Sequence, residues 1–150
     1  MTQPKRLDGG VIALIPARFR LDFADMNESN LHVIEWLRKV QLEWELPLEQ
    51  LARLCHCPVE VLEQHLARSP AEIESLPTVP AGLDAAVTLI GIFKNIRSTY
   101  PEPRDQNGWL QKENSVFEGH RPIDVMAMSP DHLAFVGYTV ESGLRLTAKE

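Results

Sequence analysis

Apolar residues recur with helical spacing along most of this chain and with strand-like alternation almost nowhere. After the Asn27 to Asn30 cluster, whose side chains suit helix caps, Val33, Trp36, Leu37, Val40 and Trp44 fall at i, i+3, i+4, i+7 and i+11, predicting an amphipathic first helix. Pro47 suits the first position of a second, two-turn helix with Leu48, Leu51, Ala52 and Cys55 on one face. The turn Cys55-His56-Cys57-Pro58 leads to a third helix, with Pro58 suited to its first position, carrying Val59, Leu62 and Leu66 and ending near Ala67. From Ser69 to Pro80, the prolines at 70, 77 and 80 with Ser75 and Thr78 predict a break and a subdomain boundary. The longest helix follows, with Leu83, Ala86, Val87, Ile90, Phe93, Ile96 and Tyr100 on its stripe, until Pro101 and Pro103 end it.

The last third predicts a short helix around Gln106 to Lys112, a loop through Asn114 to Gly119 and a helix opened by Pro122. A final helix is capped at Ser129-Pro130, carries Leu133, Val136 and Val140 and stops at Gly143. Before Asn30, Gly9-Gly10, the run Val11 to Ile15 with Pro16, and the alternation Arg18, Phe19, Arg20, Leu21 suggest an arm or short strand. The predicted fold class is mainly α, without an internal repeat.

Length and composition narrow the function. With 150 residues, the chain has room for one compact domain or two very small ones, and none for a large cofactor-binding α/β enzyme. Hydrophobic residues at 44% against 24% charged predict a globular protein rather than an acidic tail. The formal charge of −6 provides no general positive field, so any contact with nucleic acid must use a local patch. Cys55 and Cys57 are too few and too close for a disulfide framework, and no run approaches the ~20 apolar residues of a membrane span. Val11 to Ile15 is too short for a signal peptide, so the expected setting is the reducing cytoplasm, away from membranes.

The chemistry-bearing residues show no pattern of a reaction centre. Cys55, Cys57, His56 and His65 lack the spacing of a four-ligand zinc site, so no metal is expected. His32, His120 and His132 accompany no nucleophile elbow, and Gly9-Gly10 lacks the later glycine and the lysine of a phosphate loop. Neither an enzyme nor a cofactor is predicted. Trp36 and Trp44 are expected in the core, although such residues also serve dimer interfaces.

Three helices with a two-turn middle member and a tight turn have the arrangement of a helix-turn-helix unit, one that resembles Xre-type regulators. Ala52 stands where the helices would cross, Cys57 supplies the apolar residue after the turn, and Leu62 would anchor the third helix. Where such turns often hold glycine, this chain has His56. Arg53 and Arg68 are the candidates for DNA phosphates, and Gln64 and His65 for base edges. Glu60 is repelled by phosphates unless it accepts from a cytosine amino group. Residues 46–70 carry a net charge of −1, so a dimer summing two weak half-sites is the expected binding form.

Residues 109–126 carry a more specific pattern: Trp109-Leu110, Asn114, Phe117, Gly119 and Arg121-Pro122, followed by Ile123, Val125 and Met126. With the long helix before it, this segment resembles the toxin-binding domain of the MbcA/ParS/Xre antitoxin family, over about residues 81–144. Ser115 follows Asn114 where that family often has proline, and Ser129-Pro130 stands where it often has a glycine pair. The resemblance implies an N-terminal arm at 1–29, an Xre-like helix-turn-helix domain at 30–70, a linker at 71–80 and a small all-α antitoxin domain at 81–150.

The function the resemblance implies is that of an antitoxin in a type II toxin-antitoxin system. It would bind and neutralise a cognate RES-type, NAD-consuming toxin, and as a homodimer would regulate its own operon through operator DNA. Tyr138, Glu141, Leu144 and Arg145 are the residues expected to reach the toxin, Arg145 because a guanidinium suits a phosphate-bearing nucleotide pocket. The motif residues are expected to be structural, with Trp109 buried against the long helix, Gly119 in a glycine-only turn conformation and Pro122 presetting a first helical turn. The rival functions are a stand-alone helix-turn-helix regulator without a toxin and a plain assembly protein.

Overall fold

The computed structural model describes residues 31–142. The chain divides into two units, residues 1–32 and 33–150, and every helix named below belongs to the second. The expected arm at 1–29 lies outside the described residues, as do Leu144 and Arg145. The described chain is mainly α, with no strand among the described residues. Among the described residues eight helices follow in order: α1 Val33–Glu43, α2 Leu48–Cys55, α3 Val59–Leu66, α4 Pro70–Glu74, α5 Asp84–Thr99, α6 Pro103–Gln111, α7 Pro122–Met126 and α8 Pro130–Glu141. A 3-10 turn at Ser115–Phe117 joins α6 to α7. No helix among the described residues is long and apolar enough to cross a membrane.

Local chemistry explains most of the boundaries. Proline opens α4, α6, α7 and α8, where its missing N–H has no carbonyl to serve. The Ser129 hydroxyl caps α8 by accepting from the His132 amide at 3.1 Å. Helices α1 and α2 both close through a left-handed residue and paired return bonds. At the end of α1, Glu45 N–H donates to Leu42 and Leu46 N–H to Gln41; at the end of α2, His56 N–H donates to Arg53 and Cys57 N–H to Ala52. Neither left-handed residue is glycine: Glu45 and His56 both have φ 54°. Glu45 is exposed, so Glu45→Gly is expected to stabilise the protein by about 0.5–1 kcal/mol, read as a higher thermal midpoint. Unchanged or lower stability would show that the Glu45 side chain contributes more than its strained backbone costs.

Several expectations are corrected. The stretch expected to be a linker contains α4, because Ser69 and Glu72 form a reciprocal capping box around Pro70 and Ile73 packs inward at 4% exposure. Helix α6 starts at Pro103 rather than near Gln106, since proline opens the helix there as well as ending its predecessor. Pro47 and Pro58 take the capping positions of α2 and α3, one residue ahead of their first turns. On α5, Val87 is half exposed, while Leu89 and Ile92, off the predicted stripe, are buried. That helix is packed on more than one side and so buries more than a single stripe.

The core forms around α5, which packs against α1, α2, α6 and α8. On α8, Gly137 brings the two backbones close: a Cβ there would lie 3.4 Å from Thr88 Cγ2 and 3.6 Å from Ile92 Cγ1. Trp36 and Trp44 are both buried, as the core reading expected, and both meet Phe93 edge to face at centroid distances of 6.1 and 5.6 Å. The Trp44 indole Nε1–H donates to Gln106 Oε1 at 2.9 Å, and Gln106 Nε2 donates to Glu43 Oε1 at 3.3 Å, so the fully buried amide of Gln106 is satisfied at both ends. Asn107 Nδ2 donates to the Glu43 carbonyl at 3.1 Å. Segments assigned to different subdomains by sequence therefore share one core.

Candidate functional site

Between α6 and α7, backbone hydrogen bonds fold the motif segment around Asn114, which is 5% exposed. Its Oδ1 accepts from the Val116 amide at 2.9 Å, its own amide donates to the His120 carbonyl, and its carbonyl accepts from the amides of Phe117 and Gly119. This closure needs two successive left-handed residues, Glu118 at φ 57° and Gly119 at φ 86°, and the second has the glycine that the sequence supplied for it. Arg121 fixes the exit of the loop. Its Nε and Nη2 fork onto the Asp124 carboxylate at 2.8 and 3.0 Å and its Nη1 reaches Gln111 Oε1 at 2.6 Å. The Asp124 carboxylate also raises the Arg121 proton affinity, so this clamp stays charged. Leu110 and Pro122 are buried on either side of the loop.

What the loop presents is aromatic. Phe117, at 4% exposure, meets Trp109 edge to face at 6.3 Å and Phe135 edge to face at 5.8 Å. Trp109 is half buried, and the ring contact it makes is with Phe117 of the 3-10 turn. Trp109 also lines a cleft of about 330 Å³ with Tyr100, Arg104, Asp105, Lys112 and Glu113. Its indole Nε1 is buried there without a hydrogen-bond partner. The cleft brings two cations, Arg104 and Lys112, together with two carboxylates, Asp105 and Glu113.

Phe135 extends this aromatic run to the outer face of α8. It is 48% exposed, and Tyr138, on the same outward face, is 65% exposed. Leu133, Val136 and Val140 take the inward side. Glu141 ends the helix in solvent. The structure thus places Tyr138 and Glu141 on one helix with Phe135, a residue the sequence reading did not single out. The available signal was its register: with Leu133, Val136 and Val140 inward, a phenylalanine at 135 must point away from the core.

The helix-turn-helix candidates are arranged around α2 and α3. Arg53 is exposed in the last turn of α2, and Glu60 and Gln64 are exposed one turn apart on α3. His65 and Arg68 are half buried and linked, Arg68 Nε donating to His65 Nδ1 at 3.3 Å. Arg38 on α1 donates to the carbonyls of Leu66 and Arg68, tying the end of α3 to α1. In the turn, the His56 imidazole Nε2 donates to the Met126 carbonyl at 2.9 Å, joining the turn to the end of α7. Its left-handed backbone is what the expected glycine position requires. No group of three histidine, cysteine or acidic side chains with metal-binding geometry occurs among the described residues. Comparison of the sequence with protein-family models and with curated proteins finds no match, so the functional reading rests on the residues themselves.

Proposed function

We propose that this protein is an antitoxin that binds and neutralises a RES-type, NAD-consuming toxin and, as a homodimer, binds operator DNA of its own operon. The observation that carries the reading is the continuity between the sequence motif and an exposed face: Trp109, Phe117 and Phe135 meet edge to face in turn, and Tyr138 and Glu141 continue along α8. Exposed aromatic residues beside a charged rim have the composition of an interface centre, where tyrosine and tryptophan supply most of the binding energy. The acidic balance of −6 favours a basic toxin surface. The free cysteines suit a cytoplasmic setting. The protein itself performs no catalysis in this scheme.

Co-expression with the product of the adjacent reading frame tests the proposal. A stable complex whose formation relieves growth arrest is the expected outcome; absence of both complex and toxicity would overturn it in favour of a stand-alone regulator or assembly protein.

The DNA-binding role has its own prediction. Binding to the protein's promoter should weaken as salt rises, and Arg53→Ala or Arg68→Ala should each flatten the salt dependence by about one unit of slope without altering sequence preference. A mobility-shift titration at several salt concentrations reads both effects, and indifference to both substitutions would remove these residues from the DNA surface.

A further inference from the structure

The cleft beside α6 has an ordered floor. Arg104 with Gly108, and Asp105 with Trp109, are neighbours four residues apart on the helix, and Lys112 and Glu113 close the floor where the helix ends. Each end therefore carries one cation and one carboxylate, while the middle carries a glycine and an indole ring. Tyr100, at the end of α5, adds a second ring to the walls. We propose that this cleft of about 330 Å³ seats an arginine side chain presented by a partner protein, with its guanidinium on the Trp109 ring and against the carboxylates of Asp105 and Glu113.

Bonds already made inside the protein decide which of these groups are available. Lys112 and Tyr100 are each engaged with a neighbour. The Asp105 and Glu113 side chains are exposed and have no hydrogen bond or ion pair among the described residues. The Trp109 indole Nε1–H is the one buried side-chain donor without an acceptor among the described residues. The cleft thus lacks a cation for its carboxylates and an acceptor for its indole. An arginine in an extended segment brings both: a planar guanidinium that lies on an aromatic face while donating to a carboxylate, and backbone carbonyls beside it. The same pairing of cation and ring occurs within the fold, where Lys94 Nζ is 4.4 Å from the Trp36 ring centroid and the Arg97 guanidinium 5.1 Å from that of Phe93. Arg104 opposes an incoming cation at its own end, so Glu113, whose neighbour Lys112 is already engaged, is the stronger pole.

Continuity with the proposed toxin surface identifies the source of the arginine. The Trp109 ring meets Phe117, and Phe117 meets Phe135 on α8, so the cleft adjoins the face assigned to the toxin. The net charge of −6 selects a basic partner. The source therefore rests on the antitoxin reading, whereas the preference for a guanidinium is a property of this chain and is tested on it alone. Gly108 supplies the room. It is exposed on the cleft wall, and a Cβ there would meet nothing within 4 Å, so a larger side chain at this position enters the cleft without displacing the fold.

The test titrates the isotope-labelled full chain with N-acetyl-arginine methylamide and follows the indole N–H resonances of its three tryptophans by nuclear magnetic resonance. The Trp109 signal is assigned by its absence from Trp109→Phe. The expected result is a saturable shift of that signal with a dissociation constant of about 1–10 mM, while the Trp36 and Trp44 signals stay in place. Glu113→Gln should weaken binding about two- to five-fold. Gly108→Leu should abolish the shift in a protein that melts no lower than the wild type. The N-acetyl-lysine derivative should bind more weakly, and the N-acetyl-glutamate derivative should leave the signal unmoved. A stronger response to the glutamate derivative, a shift that survives Gly108→Leu, or a Trp109 signal indifferent to the arginine derivative would each overturn the proposal. A toxin that fails to bind, beside an arginine titration that proceeds as expected, would overturn the antitoxin reading and leave the cleft's preference standing.

Discussion

Trp44→Ala is expected to lower the unfolding free energy by about 3–5 kcal/mol, a large part of the roughly 5–15 kcal/mol that holds a domain of this size together. Three losses combine in this one substitution. The cavity it leaves is in the centre of the fold, where Trp44 is 2% exposed and its ring meets Phe93. The edge-to-face contact is removed with the ring. Gln106 Oε1, itself fully buried, loses the N–H it accepts. Trp44→Phe separates these effects, since it keeps an aromatic ring and removes only the donor and some volume, and should cost about 1–3 kcal/mol. Urea unfolding followed by far-ultraviolet circular dichroism reads both variants, and a cost below about 1 kcal/mol for the alanine would contradict the shared core described for α1, α5 and α6.

The second large effect concerns binding. Tyr138→Ala is expected to weaken the toxin complex by about 30-fold or more, the loss typical of an aromatic anchor at an interface centre. Its own fold should be nearly unaffected, with a change within about 0.5 kcal/mol, because the side chain is 65% exposed. Phe135→Ala serves the purpose less well. Its ring also packs on Phe117, so stability and affinity would fall together. Calorimetric titration of the wild type and of Tyr138→Ala against the purified toxin decides the matter; equal affinities would move the contact away from the outer face of α8.

Much of the fold was legible because the core follows simple periods. All five apolar positions predicted for α1 and its exit are buried, and serine or proline marks the starts of α7 and α8. Helix α4 was hidden by a conflict between two correct rules. Proline and serine between Ser69 and Pro80 signal a break, yet Ser69-Pro70 with Glu72 is also a complete opening sequence for a helix, and local capping prevailed over composition. Gln106 could not have been found by hydropathy, since a polar residue enters the core only when a distant partner satisfies it, and Trp44 lies 62 residues away. At the candidate site, the motif residues were visible individually, while their connection through Phe117 to Phe135 depends on a 3-10 turn with two left-handed residues.

The central claim is that this chain silences an NAD-consuming partner through its C-terminal helices. It is tested most directly by measuring cellular NAD while the product of the adjacent reading frame is induced, with this protein absent, present, or present as Tyr138→Ala. The account predicts that NAD collapses without the protein, is maintained with the wild type, and falls again with the variant at equal protein levels. NAD that stays constant in all three cultures, or that the wild type fails to protect, would contradict it.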